Sequence, residues 1–224
     1  MPGRSYNQYC ALARALDVVG ERWTLLLVRE LLLGPKRYKH LLAGLPGIGT
    51  NLLADRLRRL EHAGIVRRSI LPPPAGSPVY ELTDLGRGLE AAVFALGRWG
   101  AYFLQPRKES DAADPGWFFV SIRATFRPEA AAELRESYEF RIDGSPFYAR
   151  VERGRAETSQ GHADDPDVVV TTDLENFIAL LSRQLSPGEA VARGRARLEG
   201  DEAALERFVE IFAWPSSETF AAAV

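Results

Sequence analysis

Between Thr50 and His62 the stretch TNLLADRLRRLEH carries two kinds of side chain at helical spacing. With Leu53 at the origin of a wheel of about 100° per residue, Leu57 and Leu60 fall within about 40° of it and form an apolar stripe. Asn51, Asp55, Arg58 and His62 lie within about 40° of the opposite pole, and Arg59 about 60° from it. An amide in the first turn of a helix can exchange hydrogen bonds with a base edge, and a guanidinium can grip guanine or phosphate. The chemistry offered is recognition of a polyanion. Taken alone, such a helix reads equally well as an ordinary amphipathic one with a solvated face, so its setting has to decide.

The residues on either side supply that setting. Thr50 is suited to cap the helix, its hydroxyl accepting from a backbone N–H that the first turn leaves unpaired. Pro46-Gly47-Ile48-Gly49 makes a turn before it, and a short helix from about Arg37 to Leu45 precedes the turn. Lys36, Arg37 and Lys39 open that short helix; each singly is a solvated charge, and as a set they make a basic surface that can hold phosphates. After the reading helix, Ile65 to Ile70 reads as a strand carrying Arg67 and Arg68, Leu71 to Pro78 as a stiff loop, and Val79 to Leu82 as a returning strand. Helix, turn, helix and hairpin in this order are the layout of a winged helix-turn-helix, whose second helix enters the DNA major groove. Further out, Cys10–Val19 and Glu21–Leu33 read as helices separated by Gly20, a residue that tolerates the left-handed conformation at a helix end. The second is apolar nearly all round through Trp23, Leu26, Leu27 and Leu31, and is expected to centre the core. From Thr83 to about Phe103 a last helix bears Leu85, Leu89, Ala92, Leu96, Trp99 and Phe103 on one stripe, more than a domain this small needs. The surplus predicts a dimer contact, and two-fold pairing predicts an inverted-repeat operator.

Charge divides the chain. Through Pro106 there are 14 basic against 8 acidic residues, a net +6; the remainder has 14 against 22, a net −8, so the near-neutral total of −2 hides a basic front and an acidic back. Only the front suits a polyanion. No apolar run reaches the roughly 18 residues that span a bilayer, the first ten residues lack a signal-peptide core, and the one cysteine has no partner for an internal disulfide, so a cytoplasmic protein is expected.

The front half resembles a known family. CALARALDVVGERWTLLLVRELLLGPKRYKHLLAGLPGIGTNLLADRLRRLEHAGIVRR, with the later YELTDLGRGLEAAVFALGRWG, is similar to the HxlR-type winged-helix transcriptional regulators over Cys10–Trp99. The resemblance implies a dimeric, DNA-binding, usually autoregulated repressor or activator. It also implies that Cys10 matches a position used by some members as a redox or electrophile sensor; the other reading of Cys10 is a buried, inert small hydrophobe.

In the back half, Trp117–Phe126 (WFFVSIRATF) alternates and is expected to be a one-sided strand. Tyr138, Phe140 and Ile142 turn at Asp143-Gly144 into Phe147, Ala149 and Val151 as a hairpin; Arg155–Ser159 and Asp167–Thr171 follow as strands. Thr172 and Glu175 suggest a capping box for a helix with Leu174, Phe177, Ile178 and Leu181 on its apolar side. Ser186-Pro187 opens a short helix, Ala196 and Leu198 mark a strand, and Asp201 caps a closing helix bearing Leu205, Phe208, Val209 and Phe212. The order and patterning from about Pro115 to Pro215 look like a sterol carrier protein-like domain. That likeness implies an apolar tunnel for a hydrophobic molecule, with Phe118, Phe140, Phe177, Phe208, Phe212 and Trp214 as lining; the alternative is that these aromatics fill a solid core. Enzyme chemistry finds no support: His40, His62 and His162 stand in no metal-ligand spacing, and no phosphate loop, nucleophile motif or cofactor signature is present.

The expected fold class is therefore α+β, with an N-terminal winged helix-turn-helix domain (1–104), a linker (105–116) and an antiparallel sheet domain covered by helices (117–224). The expected function is dimeric transcriptional regulation, with double-stranded DNA and a hydrophobic effector as partners and no metal or cofactor. A redox regulator acting through Cys10, a lipid carrier with a front domain that does not bind DNA, and an enzyme using a cavity of the back half are the alternatives.

Overall fold

The computed structural model describes residues 5–74, 76–101, 103, 108, 110–212 and 214. The chain forms two compact units, Met1–Val93 and Phe94–Val224. Part of the expected linker, residues 105–107 and 109, lies outside the described residues.

In the first unit α1 (Ala11–Val19), α2 (Thr24–Leu32), α3 (Tyr38–Ala43) and α4 (Thr50–His62) precede the hairpin β1 (Val66–Ile70) and β2 (Pro78–Leu82), followed by α5 (Asp84–Arg87) and the start of α6 (Glu90–Ala101). The core collects Leu27, Val28 and Leu31 of α2 with Leu41, Leu45, Ile48, the α4 stripe Leu53, Leu57 and Leu60, and Val66 and Leu82 of the wing. α2 is thus central, but shorter than its apolar run suggests, and Leu26 is exposed. The left-handed residue is Trp23 (φ 78), while Gly20 has φ −74. Glycine at position 20 answers to space: a Cβ there would strike the Leu16 carbonyl. A left-handed non-glycine costs about 1–3 kcal/mol and persists only when surrounding contacts hold it. Here the Trp23 indole faces Gly47 in the helix-turn-helix turn, and the Arg22 guanidinium lies 5.3 Å from its ring.

Thr50 does not cap α4. Gly49 is the cap residue, its carbonyl accepting the Leu53 N–H at 2.9 Å, and Thr50 is the first helical residue. The long helix expected after Thr83 is broken. Thr83 Oγ1 caps α5 by accepting the Gly86 N–H (3.1 Å), Gly88 ends it, and α6 restarts at Glu90. Gly86 is pressed so closely on the Ile65 carbonyl that an added Cβ would collide with it. Gly86→Ala is expected to destabilise the unit by about 1–3 kcal/mol through forced displacement of the wing from α5. Urea denaturation followed by circular dichroism measures this, and a change below about 0.5 kcal/mol would refute it.

The second unit contains α7 (Pro115–Thr125), β3 (Arg135–Ile142), β4 (Ser145–Glu152), β5 (Arg155–Gln160), β6 (Val168–Thr172), α8 (Leu174–Leu181), α9 (Pro187–Ala192), β7 (Ala196–Gly200) and α10 (Glu202–Phe212). The strand expected at Trp117–Phe126 is a helix. Asp114 caps it by accepting the Gly116 N–H (2.8 Å) and Pro115 occupies its first turn; Phe119, Val120, Ile122 and Ala124 are buried. A short apolar run has no decisive period, and the Asp-Pro-Gly start is the discriminating signal. Asp173, one residue past the expected Thr172, caps α8 by accepting the Asn176 N–H at 2.7 Å, because Thr172 is still the last residue of β6.

The sheet order is β5-β4-β3-β6-β7. Its pairs are antiparallel except β3 with β6, which run parallel because the chain crosses from the edge strand β5 past β4 and β3 before re-entering. One face, with Tyr138, Phe140, Ile142, Phe147 and Val170, packs under the helices. On β3 the opposite face holds Glu139, which ties down the crossing segment: its buried carboxylate lies 2.8 Å from Arg141 Nε and 3.0 Å from both His162 Nδ1 and the Ala163 N–H. Burial raises the pKa of this carboxyl, but the bonds from His162, Arg141 and Ala163 outweigh burial and hold it below its ordinary 4.5. A depressed carboxyl pKa gives stability that is fully present above the unfolded-state value and lost as pH falls through the folded-state value. Glu139→Gln is therefore expected to flatten the loss of stability below about pH 4.5 in a denaturation series against pH; an unchanged acid limb would contradict it.

Candidate nucleic-acid interface

The interface is built from α3, α4 and the β1–β2 wing. Tyr38 at the start of α3 donates its hydroxyl to the Thr50 carbonyl (2.7 Å), fixing where α4 begins, and Gly47 turns the chain with φ +92. With Leu53, Leu57 and Leu60 buried, the other side of α4 faces out: Asn51, Arg58, Arg59 and His62 are exposed and Asp55 is half-buried. The two adjacent arginines differ. The Arg58 side chain is 73% exposed with only a loose approach to Asp55 (3.7 Å), whereas Arg59, 51% exposed, makes 2.9 Å pairs with both Asp55 and Glu21.

The basic start of α3 divides in the same way. Arg37 and Lys39 flank the start of the helix, while Lys36 Nζ lies 2.6 Å from the buried Glu30 carboxylate, which also pairs with Arg29 at 2.8 Å. The Lys36 backbone exchanges hydrogen bonds with Tyr80 of β2 at 2.9 and 3.0 Å, adding a one-residue bridge to the wing. Partial desolvation first, and then the neighbouring Lys39, Arg37 and Lys36, lower the pKa of His40 at this end of α3. On the wing, Arg67 pairs with Glu81 and Arg68 with Glu61, each at 2.9 Å, and the Arg68 guanidinium lies 5.2 Å from the Tyr80 ring. Both arginines remain more than half exposed. The carboxylates Glu21, Glu61 and Glu81, and the interior Arg56, escaped the sequence reading because ion-pair partners distant in sequence leave no periodic trace.

Cys10 is exposed and precedes α1 as its cap residue without a side-chain cap bond.

In the second unit the six aromatics singled out from sequence fall into two sets. Phe140, Phe177, Phe208 and Phe212 are fully buried and meet ring against ring, with Phe140–Phe208 at 4.5 Å and Phe208–Phe212 at 4.7 Å. Phe119, not singled out from the sequence, stacks on Phe147 (4.4 Å) and Phe177 (5.7 Å) at their centre. Phe118 and Trp214 are half-buried and stack on each other at 5.6 Å. An open depression of about 600 Å³ at the β4–β5 hairpin is lined by Arg150, Glu152, Arg153, Arg155, Ala156 and Glu157, a polar set unsuited to a hydrophobic guest. Among the described residues, no cluster of His, Cys, Asp and Glu could hold a metal ion, and no helix is long and apolar enough to cross a membrane.

A reading helix with an exposed polar face, set against a basic two-stranded wing, defines a winged helix-turn-helix protein. Residues 18–108 match the HxlR-like helix-turn-helix family and residues 122–213 match the SCP-2 sterol transfer family. The HTH-type transcriptional regulator YodB of Bacillus subtilis (strain 168) is 36% identical over 101 residues, 45% of this chain and 90% of YodB. The uncharacterized HTH-type transcriptional regulator YvaP of the same organism is 32% identical over 93 residues, 42% of this chain and 86% of YvaP. Among solved structures, the redox regulator HypR in its reduced form aligns at 33% identity with a TM-score of 0.38, over 41% of this chain and 91% of HypR. The chain belongs to the HxlR-like helix-turn-helix family of transcriptional regulators, and residues 122–213, later in the sequence, are similar to the SCP-2 sterol transfer family.

Proposed function

We propose that this regulator works as a homodimer on an inverted-repeat operator, with α4 of each protomer in a major groove and each wing along the backbone. One observation carries the reading: Asn51, Arg58, His62, Arg67 and Arg68 all present exposed side chains from one compact unit, opposite a fully buried leucine stripe. Asn51, in the first turn, is suited to an adenine edge and Arg58 to guanine or phosphate. Thr50, Arg37, Lys39, His62, Arg67 and Arg68 contact backbone, while Asp55 orients its arginine neighbours and Lys36 supports the scaffold through Glu30. The test uses the duplex that the full-length protein selects from a random pool, with affinity read by fluorescence anisotropy. Asn51→Ala is expected to cost about 10- to 100-fold on that duplex and to relax preference at one base position. Arg68→Ala should weaken binding to all sequences alike and reduce the salt slope by about 0.9 per protomer. An affinity indifferent to salt would overturn the reading.

In the same proposal the second unit is the sensor, taking a hydrophobic small molecule. Support comes from the aromatic interior, from the half-buried Phe118–Trp214 stack at its edge, and from the match to a sterol transfer family. An effector that prefers one arrangement of the dimer shifts the population between operator-binding and non-binding states. Solvent extraction and mass spectrometry identify any bound molecule. Equal operator affinity for the emptied and the saturated protein would refute the sensor role. The exposed Cys10 supports a second input, thiol oxidation, which Cys10→Ser would abolish.

A further inference from the structure

Glu21 stands in the turn between α1 and α2, outside every element assigned to DNA contact, yet its carboxylate bridges two guanidinium groups of the reading helix. Oε2 lies 2.5 Å from Arg56 Nη2 and Oε1 lies 2.9 Å from Arg59 Nη1. The anchoring is doubled at Arg56, mostly buried, whose Nε also donates to the Arg22 carbonyl at 3.3 Å. Arg59 is held from its other side by Asp55 through Nε at 2.9 Å. Asp55 is itself shared with Arg56 (2.9 Å) and Arg58 (3.7 Å), so it cannot balance Arg59 by itself.

We propose that Glu21 is a specificity-determining residue of the DNA-reading surface: it occupies Arg59 on arbitrary DNA and yields it only to a matched site. The proposal rests on the DNA-binding reading above. A lone phosphate offers Arg59 one anionic partner in place of two carboxylates already within 2.9 Å. A guanine edge of correct register offers O6 and N7 together, a bidentate acceptor pair in the groove that a backbone phosphate on arbitrary sequence does not place before Arg59. Arg58, without this clamp, stays open to a phosphate on any sequence as well as to a guanine edge. Glu21 thereby removes one phosphate contact per protomer from non-specific binding, where affinity is almost wholly electrostatic.

The measurement is the dependence of affinity on salt, by fluorescence anisotropy, for wild type, Glu21→Gln, Arg59→Gln and the double variant. The probes are a mixed-sequence duplex of about 30 base pairs and the duplex selected from a random pool. On the mixed-sequence duplex, Glu21→Gln is expected to steepen the slope of log affinity against log salt by about 0.9 per protomer. Between 50 and 200 mM salt this is an additional loss of about 3.5-fold per protomer. The double variant should return to the wild-type slope, and Arg59→Gln alone should leave that slope unchanged while weakening the selected duplex. An unchanged slope in Glu21→Gln overturns the proposal. So does a flattened slope in Arg59→Gln on mixed sequence, which would mean that Arg59 already meets phosphates; this arm stands even if Glu21→Gln fails to fold. If wild type shows no salt-dependent affinity for either duplex, the DNA-binding reading fails and the role of Glu21 with it.

Discussion

A variant carrying Leu96→Glu and Trp99→Glu is expected to sediment as a monomer and to bind an inverted-repeat duplex about 10²–10⁴-fold more weakly than wild type, with half-site affinity little changed. The reason is where α6 places its apolar side chains. Leu89 and Val93, near the start of the helix, pack on the first unit's own core. Further along, Leu96, Trp99 and Phe103 recur at intervals of three and four residues and are 51%, 60% and 60% exposed. Scattered exposed apolar residues are ordinary; Leu96 and Trp99 three residues apart on α6, with Phe103 just past its last residue Ala101 and 4.8 Å from Trp99 ring to ring, signify a covering surface. The described part of the chain offers a surface of matching character in α1, where Leu12 and Leu16 are exposed four residues apart, with Tyr9 just ahead of them. In the proposed dimer, α6 of one protomer lies on α1 of its partner. Two glutamates in such an interface would be buried without partners, a cost large enough to dissociate it. Since the second half-site then loses the effective concentration supplied by the first, operator affinity falls even though no DNA-contacting residue has changed. Sedimentation velocity decides the first half of the result, and a variant still dimeric at micromolar concentration would rule this interface out.

What could be read from the sequence depended on how local the physics was. The α4 stripe, the wing, and the cap at Thr83 are set by neighbours within a few residues, and each lies where spacing and turn chemistry put it. The cap of α4 moved one residue because the Gly49 carbonyl, rather than the Thr50 hydroxyl, begins the helical ladder. Invisible beforehand were the acidic partners of the basic face. Arg59 and Glu21 are 38 residues apart, and only the packing of the α1–α2 turn on α4 brings them together. A basic count along the chain therefore overstates the charge available to DNA.

The second unit shows the same limit differently. Alternation in WFFVSIRATF fits a strand as well as a helix over ten residues, and the capped helix that forms turns Phe119 inward. Nor did alternation within each strand reveal that β6 enters beside β3 in parallel, because strand order is decided by the crossing segment that Glu139 holds. Phe140, Phe177, Phe208 and Phe212 are buried together, but whether such rings enclose a space or fill one depends on ring-to-ring distances that composition does not carry.

Those distances lead to the second large effect. Phe208→Ala is expected to cost about 3–5 kcal/mol, since the ring is wholly buried and the surrounding rings cannot collapse onto the space it leaves. Three aromatics lean on it, Tyr138 at 5.1 Å, Phe140 at 4.5 Å and Phe212 at 4.7 Å, and they belong to both the central strand and the closing helix. Against a domain stability of about 5–15 kcal/mol, such a loss brings the second unit close to unfolding at physiological temperature. Phe118→Ala is the informative contrast. Its half-buried stack on Trp214 contributes about 0.5–1.5 kcal/mol beyond simple burial, so the fold survives its loss. If the Phe118–Trp214 edge admits the effector, Phe118→Ala will change the effector response while moving the urea midpoint little, and Phe208→Ala will lower the midpoint sharply. Urea denaturation monitored by near-ultraviolet circular dichroism, alongside operator titrations, separates the two. Similar stability losses in both variants would mean that the edge stack belongs to the core and would remove it as the proposed effector contact.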